Sequence, residues 1–343
     1  MKLSFFPTKP LELIFLFILV FFSTASFIEA KTKTPLGNDS DKASNKLPLK
    51  LPPKKTHDKL DDSKNTSSIN KKTANRKVAS NPPSSPLVYL KQRLRKNGFP
   101  KPFIQTLLKN YEEAKRDQVV KLNVMGFLIS PDYSGHISPD SVQRCRSFLT
   151  ENKKVFTQAE KKFGVKKEII VSLLWVESRL GENHGSFHVG SVFLSLLQAE
   201  HPQLIQVLLE DLAVRVPSPT KAMIKKTKER AKIKGRWAVG ELWSLYKMNK
   251  KNPTVASQLK GSYSGAFGYS QFLPSSYVTW AKSFNPKKSA DLYSPQDAIM
   301  SVANYLHKNG YKKNKPKSYK KALFHYNRSD DYGENILKLS EKL

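Results

Sequence analysis

The sequence predicts a mainly α fold, arranged as one lobe or as two closely packed lobes, with little β structure. Apolar residues recur at helical spacing from about residue 88 to the C-terminus. Strand signals are few and short, confined to Tyr263–Phe272. No internal repeat breaks this pattern into modules.

The chain opens differently. Met1–Pro10 carries Lys2 and Lys9, Leu13–Phe22 is an unbroken apolar run, and Ser26, Ile28 and Ala30 surround a cleavage point. Residues 1–30 are therefore expected to be a secretory signal peptide. The apolar run is short for a span of roughly 20 residues, although continuation through Ser23–Ile28 keeps an uncleaved anchor open. No cysteine lies near the site, so the chain is not a lipoprotein. Cys145 is the single cysteine. An exported protein with one cysteine has no internal disulfide and must rely on its core.

Residues 31–85 are rich in Lys, Asn, Ser, Thr and Pro and contain no Phe, Tyr or Trp. Such a segment buries too little apolar surface to offset chain entropy and reads as a disordered basic linker. Folded sequence is expected over 86–343. Val88–Arg95 and Phe103–Asp117 have helical spacing. Ser138-Pro139-Asp140 starts a helix with proline in its first turn, running to about Phe163, and Gly164-Val165 separates it from the next. A basic insertion near 213–236 includes Lys221–Lys234, a solvated surface helix or, alternatively, a patch that grips an anionic polymer. Trp237–Tyr246 is amphipathic through Trp237, Leu242 and Trp243. Asp297–Lys308 sends Ile299, Val302, Ala303 and Leu306 inward.

The net charge is +31, from 59 Lys+Arg against 28 Asp+Glu. Such a chain seeks an anionic partner. Export disfavours nucleic acid, whereas a polyanionic cell wall fits the compartment. The basic N-terminal segment also suits association with an acidic membrane surface.

Glu177 is the residue that most needs explaining. Ile170, Leu173 and Leu174 form an apolar stripe, and Glu177 falls three and four residues beyond the last two. Gly181 offers a helix stop just after it. Apolar surroundings and the negative end of the helix dipole both disfavour the ionised form, so its pKa should rise. A carboxyl still protonated near neutral pH can act as a general acid. The plain alternative is a structural glutamate bonded to a neighbouring backbone group or to Arg179. Two further segments bear on the choice. Gly261–Tyr277 is glycine-rich and offers Ser262, Tyr269 and Gln271 as groups suited to a sugar, and Phe324-His325-Tyr326-Asn327 lies near the C-terminus.

In this order and spacing, Trp175–Gly181 with Gly185, Gly261–Tyr277 and Phe324–Asn327 resemble the lytic murein transglycosylases of the membrane-bound B type. The likeness runs from about Ser138 to the C-terminus and is strongest over Gly164–Gly185, Lys260–Tyr277 and Ala298–Tyr305. It implies a goose-lysozyme-like catalytic core with an additional α-helical lobe. It also implies cleavage of peptidoglycan between N-acetylmuramic acid and N-acetylglucosamine, leaving a 1,6-anhydromuramyl end, in the periplasm of a bacterium. The family's acid/base falls on Glu177, its substrate-holding serine and glutamine on Ser262 and Gln271, and its site aromatics on Tyr305 and Tyr326. Asn327 stands beside the latter, Tyr332 is a further candidate, and a family tyrosine falls near Tyr133 once a one-residue gap is allowed. The expected partner is the peptidoglycan glycan strand, bound by a monomer without cofactor.

The residue types agree with that chemistry. Retaining and inverting hydrolases pair the acid with a second carboxylate at about 5 to 9 Å, and the other two motifs supply none. One acid suffices if the substrate's N-acetyl group and 6-hydroxyl act as nucleophiles. A muramidase on the same fold and a non-catalytic wall-binding protein are the alternatives. Relatives can carry a calcium loop before the Ala298–Tyr305 helix. Here Asn285–Asp291 lacks the alternating ligands and turn glycine and holds Lys287 and Lys288, so no metal is expected. His184 and His188 have zinc-like spacing, but Gly185 lies between them and no third ligand is evident. Gly268–Phe272 lacks the last glycine of a nucleophile elbow.

Overall fold

The computed structural model of the chain describes residues 85–129 and 134–343. The expected signal peptide, the linker up to residue 84 and Tyr133 lie outside them.

Helix α1 (Pro86–Lys96) is capped by Ser85, whose hydroxyl accepts from Val88 N, with proline in its first turn. The single helix expected over Phe103–Asp117 is instead two, α2 (Lys101–Lys109) and α3 (Arg116–Val124). Asn110 folds its amide back onto Thr106 O at 2.8 Å, and Glu112 N leaves to donate to Ser191 Oγ at 2.6 Å. A tertiary bond thus outcompetes helical continuation. The helix from Ser138 to Phe163 is also two, α4 (Pro139–Glu151) and α5 (Lys153–Phe163), hinged at Asn152. Ser138 and Ser141 cap α4 reciprocally. The hinge sets Phe148 and Phe156 edge-to-face at 6.1 Å between ring centres.

Next comes α6 (Lys167–Ser178), then β1 (Phe187–His188), α7 (Val189–Leu197) and α8 (Pro202–Arg215). The segments expected at Lys221–Lys234 and Trp237–Tyr246 join in one 31-residue helix, α9 (Lys221–Lys251). After α10 (Val255–Gln258), β2 (Lys260–Gly261) pairs antiparallel with β1, Phe187 opposite Gly261 and His188 opposite Lys260. The strand signal at Tyr263–Phe272 proves to be a loop closed by one bridge between Phe267 and Phe272. Gly265 and Gly268 turn it with φ of 81° and 72°. The chain ends with α11 (Pro274–Trp280), α12 (Pro295–Lys308), α13 (Pro316–Tyr326) and α14 (Asp330–Ser340).

The core centres on α6, which is buried all round from Ile169 to Ser178 rather than along one stripe. Helices α4, α5, α12 and α14 pack around it. A second, smaller core joins Val120 and Val124 of α3, Leu204, Leu208 and Leu212 of α8, and Ala231 of α9. The basic segment is therefore not only solvated: Thr227, Arg230, Ala231 and Lys234 face inward, while Lys225, Lys226, Lys228 and Lys232 stay in water. No helix among the described residues is long and apolar enough to cross a membrane.

Candidate active site

Glu177 sits in the last turn of α6 and is only 7% exposed. The helix stops at Arg179, not at Gly181 as its sequence suggests. Arg179, Leu180 and Gly181 are all left-handed, with φ of 51°, 57° and 92°. Arg179 N donates to Trp175 O at 2.8 Å and Leu180 N to Leu174 O at 3.3 Å, closing the helix end. Two non-glycine residues in this region cost about 1–2 kcal/mol each. Glycine is obligatory third, because a Cβ on Gly181 would stand 2.3 Å from Tyr269 Cζ. Ser178 Oγ donates to Tyr269 O at 2.8 Å, so the end of α6 is stitched to the Gly261–Leu273 loop.

The partner of Glu177 is Tyr332 of α14, whose hydroxyl donates to Glu177 Oε1 at 2.5 Å. Burial pushes the Glu177 carboxyl up to about 8, and the Tyr332 bond, which favours the anion, opposes this. Behind this pair the Tyr326 ring lies parallel to Tyr332 at 6.4 Å, and Tyr305 meets Tyr326 edge-on at 4.7 Å. Tyr326 donates to Ser270 O at 2.5 Å and Tyr305 to His325 O at 2.7 Å. Burial and the nearby Glu177 charge hold both phenols above their ordinary range, so they stay neutral. Phe272 completes the wall, 5.7 and 5.9 Å from these two rings.

The structure thus gathers Glu177, Tyr305, Tyr326 and Tyr332 into one buried cluster. Tyr326 and Tyr332 are 3% and 1% exposed, so they hold the acid from behind. Asn327 is buried at the end of α13, its carbonyl accepting from Ser329 N. Ser262, Tyr269 and Gln271 stand on the loop. Ser262 Oγ lies 3.0 Å from Ser264 Oγ and accepts from Ala266 N at 3.2 Å. Gln271 is left-handed (φ 46°), with its amide donating to Gly268 O at 2.9 Å and reaching His184 O at 3.5 Å. Tyr269, half-buried, lies 5.1 Å from the His184 ring.

Sequence reasoning passed over Ser178 and Asn123. Ser178 is adjacent to Glu177 and fully buried, and its role rests on a contact 91 residues away. Asn123 Nδ2 donates to Tyr263 O at 2.9 Å from the smaller core. Arg230 of the basic segment bonds Asn123 O and Val124 O at 3.2 and 2.6 Å. The second core therefore touches the site loop through one amide.

No group of three His, Cys, Asp or Glu among the described residues is arranged to hold a metal ion. In the Asn285–Asp291 stretch the organising carboxylate is Asp297. Its Oδ1 accepts from Phe284 N and its Oδ2 from Asp291 N, both at 2.7 Å. His188 is not on a helix with His184; its Nδ1 caps α7 by accepting from Ser191 N.

Glu177 is thus a buried carboxyl, pushed up to about 8, at the end of a central helix that Ser178 joins to a loop of serine, tyrosine and glutamine. The same fold is found in the Escherichia coli lytic transglycosylase Slt35, solved in complex with bulgecin A. Its TM-score is 0.57 at 21% identity, covering 76% of this chain and 92% of that one. SltB3 of Pseudomonas aeruginosa, solved in complex with NAG-anhNAM-pentapeptide, shares it at a TM-score of 0.53 and 16% identity, covering 74% and 77%. The family model described as the transglycosylase SLT domain matches residues 84–323, and the chain belongs to that family. Membrane-bound lytic murein transglycosylase B of E. coli K12 is 30% identical over 177 residues, 52% of this chain and 40% of that relative. The chain thus matches less than half the length of this relative.

Proposed function

We propose that the chain is a peptidoglycan lytic transglycosylase with Glu177 as its single acid and base. It cleaves the β-1,4 bond between N-acetylmuramic acid and N-acetylglucosamine and closes a 1,6-anhydro ring. The observation that carries this is the pairing of Glu177: a carboxyl raised to about 8 whose hydrogen-bond partner is a phenol. One oxygen is fixed by Tyr332, and the other carries the proton. That proton goes to the glycosidic oxygen as the bond breaks, while the muramyl N-acetyl group stabilises the cation. The carboxylate then takes the proton of the sugar's 6-hydroxyl as that oxygen bonds to C1, restoring the acid. Ser262, Tyr269 and Gln271 hold substrate. Tyr305, Tyr326 and Tyr332 keep the acid dry and aimed, and Asn327 and Tyr133 are assigned to substrate binding.

Residues 1–30 direct export to the periplasm, 31–85 tether the folded part near anionic wall or membrane, and 86–343 form the catalytic domain, acting as a monomer. The test is Glu177→Gln on purified peptidoglycan. The amide keeps the shape and donates no proton to the leaving oxygen, so activity falls at least 10²- to 10⁴-fold. Digestion near the wild-type rate would overturn the assignment.

A further inference from the structure

Six lysines line one cleft of about 580 Å³: Lys162 at the end of α5, Lys247 and Lys251 on α9, and Lys282, Lys287 and Lys288 between α11 and α12. No acidic residue lines it. All six are exposed, and none forms an ion pair with another described residue. Lys247 and Lys251 are one helical turn apart, a like-charge spacing that disfavours a helix. Lys287 and Lys288 are neighbours in sequence. Ordinary surface lysines are interleaved with acids, as Lys225 is with Glu229 across 3.9 Å. Here the repulsion is left standing.

The cleft does not end at the lysines. It shares Met248, Lys251, Tyr277, Ser289 and Ala290 with a second trough of about 570 Å³. That trough is also lined by Lys260, Phe267, Tyr293 and one acid, Asp291. The Tyr293 ring meets His184 edge-on at 5.1 Å, and His184 lies against Tyr269 and takes the Gln271 amide. The cationic cleft therefore adjoins, through this trough, the segment that we assign to substrate binding, by way of Phe267 of that segment and the Tyr293–His184 contact.

A concave wall of one sign focuses its potential into the cleft. A flat bilayer would touch only its rim, whereas a slender chain fills it. Lysine heads are mobile point charges without the planar fork that reads one fixed geometry. They suit several separate anions on a flexible segment.

We infer that this cleft binds the carboxylates of the peptide side chains carried by the glycan strand, so that the enzyme prefers peptide-bearing over bare glycan. This deepens the peptidoglycan reading and rests on it. The ligand in the cleft and the sugar at Glu177 belong to one molecule.

The test compares wild type with Lys282→Gln/Lys287→Gln/Lys288→Gln and, separately, Lys247→Gln/Lys251→Gln. These exposed substitutions leave the melting temperature unchanged, which a thermal scan verifies. kcat/KM is measured on soluble glycan oligomers with their peptides and on the same oligomers stripped of peptides. Each variant should lose about tenfold on peptide-bearing oligomers at low salt and nothing on bare ones, and added salt should bring wild type down to the variants. An equal loss on both substrates, or no loss on either, overturns the inference while leaving the peptidoglycan reading in place. Competition by polyphosphate but not by polyglutamate would also overturn it, in favour of a phosphate-bearing ligand. Wild type inert on both substrates would remove the parent reading and this one together.

Discussion

The hydroxyl of Tyr332 reaches Glu177 Oε1 at 2.5 Å across 155 positions of sequence, joining the last helix to the central one at the candidate acid. The bond favours the carboxylate, while burial favours the acid and prevails. Tyr332→Phe removes the opposing bond, so the Glu177 pKa must rise further. A hydrogen bond to a charged group is worth about 1.5–3 kcal/mol, or roughly one to two pH units. The alkaline limb of the pH–rate profile should therefore move up by about that amount, with a lower maximum rate because the acid is less well aimed. An unmoved limb in a folded variant would show that Tyr332 does not act on the titrating group.

The same burial couples stability to pH. Glu177 titrates at about 8 in the folded chain, against about 4.3 when unfolded. Between those values the native state holds a proton that the unfolded chain has lost. The stability from this site is whole below the lower value and drains away as pH rises towards the upper one, at about 1.4 kcal/mol per pH unit. Glu177→Gln lacks this slope. Its melting temperature should overtake that of wild type as pH is raised from 5 to 8, and parallel melting curves across that range would contradict the raised pKa of the buried carboxyl.

Asn123 offers a test of how the smaller core supports the site. Its amide donates to Tyr263 O and Val119 O, each at 2.9 Å. Asn123→Ala removes the bond to the Tyr263 carbonyl and should cost about 1–2 kcal/mol of stability. The loop carrying Ser262 would loosen, so KM should rise several-fold with kcat less affected. A variant that melted lower with KM unchanged would confine Asn123 to a packing role.

The calcium question turns on Asp297. Both of its oxygens accept backbone N–H groups of the loop that precedes α12. A saturating ligand raises stability measurably, so melting curves in excess Ca²⁺ and in EDTA should coincide, whereas Asp297→Asn should lower the melting temperature in both. A calcium-dependent rise in wild type would sink this account of the loop.

The burial of Glu177 was legible in sequence because it is a local matter of three apolar residues at helical spacing and a nearby reversal, whereas its reading as the acid came from the other two motifs and the resemblance they carry. Helix α12 was legible for the same reason, its apolar residues recurring at helical spacing. The interruptions were not. Nothing near Asn110 announces that Glu112 N will leave for Ser191, and nothing at Asn152 announces that Phe148 and Phe156 need a hinge between them. Tyr305, Tyr326 and Tyr332 were found through motif resemblance, yet their arrangement as a wall behind the acid comes from α12, α13 and α14 meeting α6. Those contacts span the chain and leave no trace in local pattern. The inward face of the basic helix was hidden too, since Arg230 reads as a surface residue until its bonds to Asn123 O and Val124 O are known, and Lys234 until it is seen buried over the Trp237 ring.

The central claim is that Glu177 acts alone and that the sugar's own 6-hydroxyl closes on C1. Digestion of purified peptidoglycan in ¹⁸O-labelled water, followed by mass spectrometry of the muropeptides, tests it most directly. The expected products end in 1,6-anhydromuramic acid, one water lighter than reducing ends and free of ¹⁸O. Reducing ends carrying ¹⁸O would mean that water attacks C1, and the single-acid mechanism would be wrong.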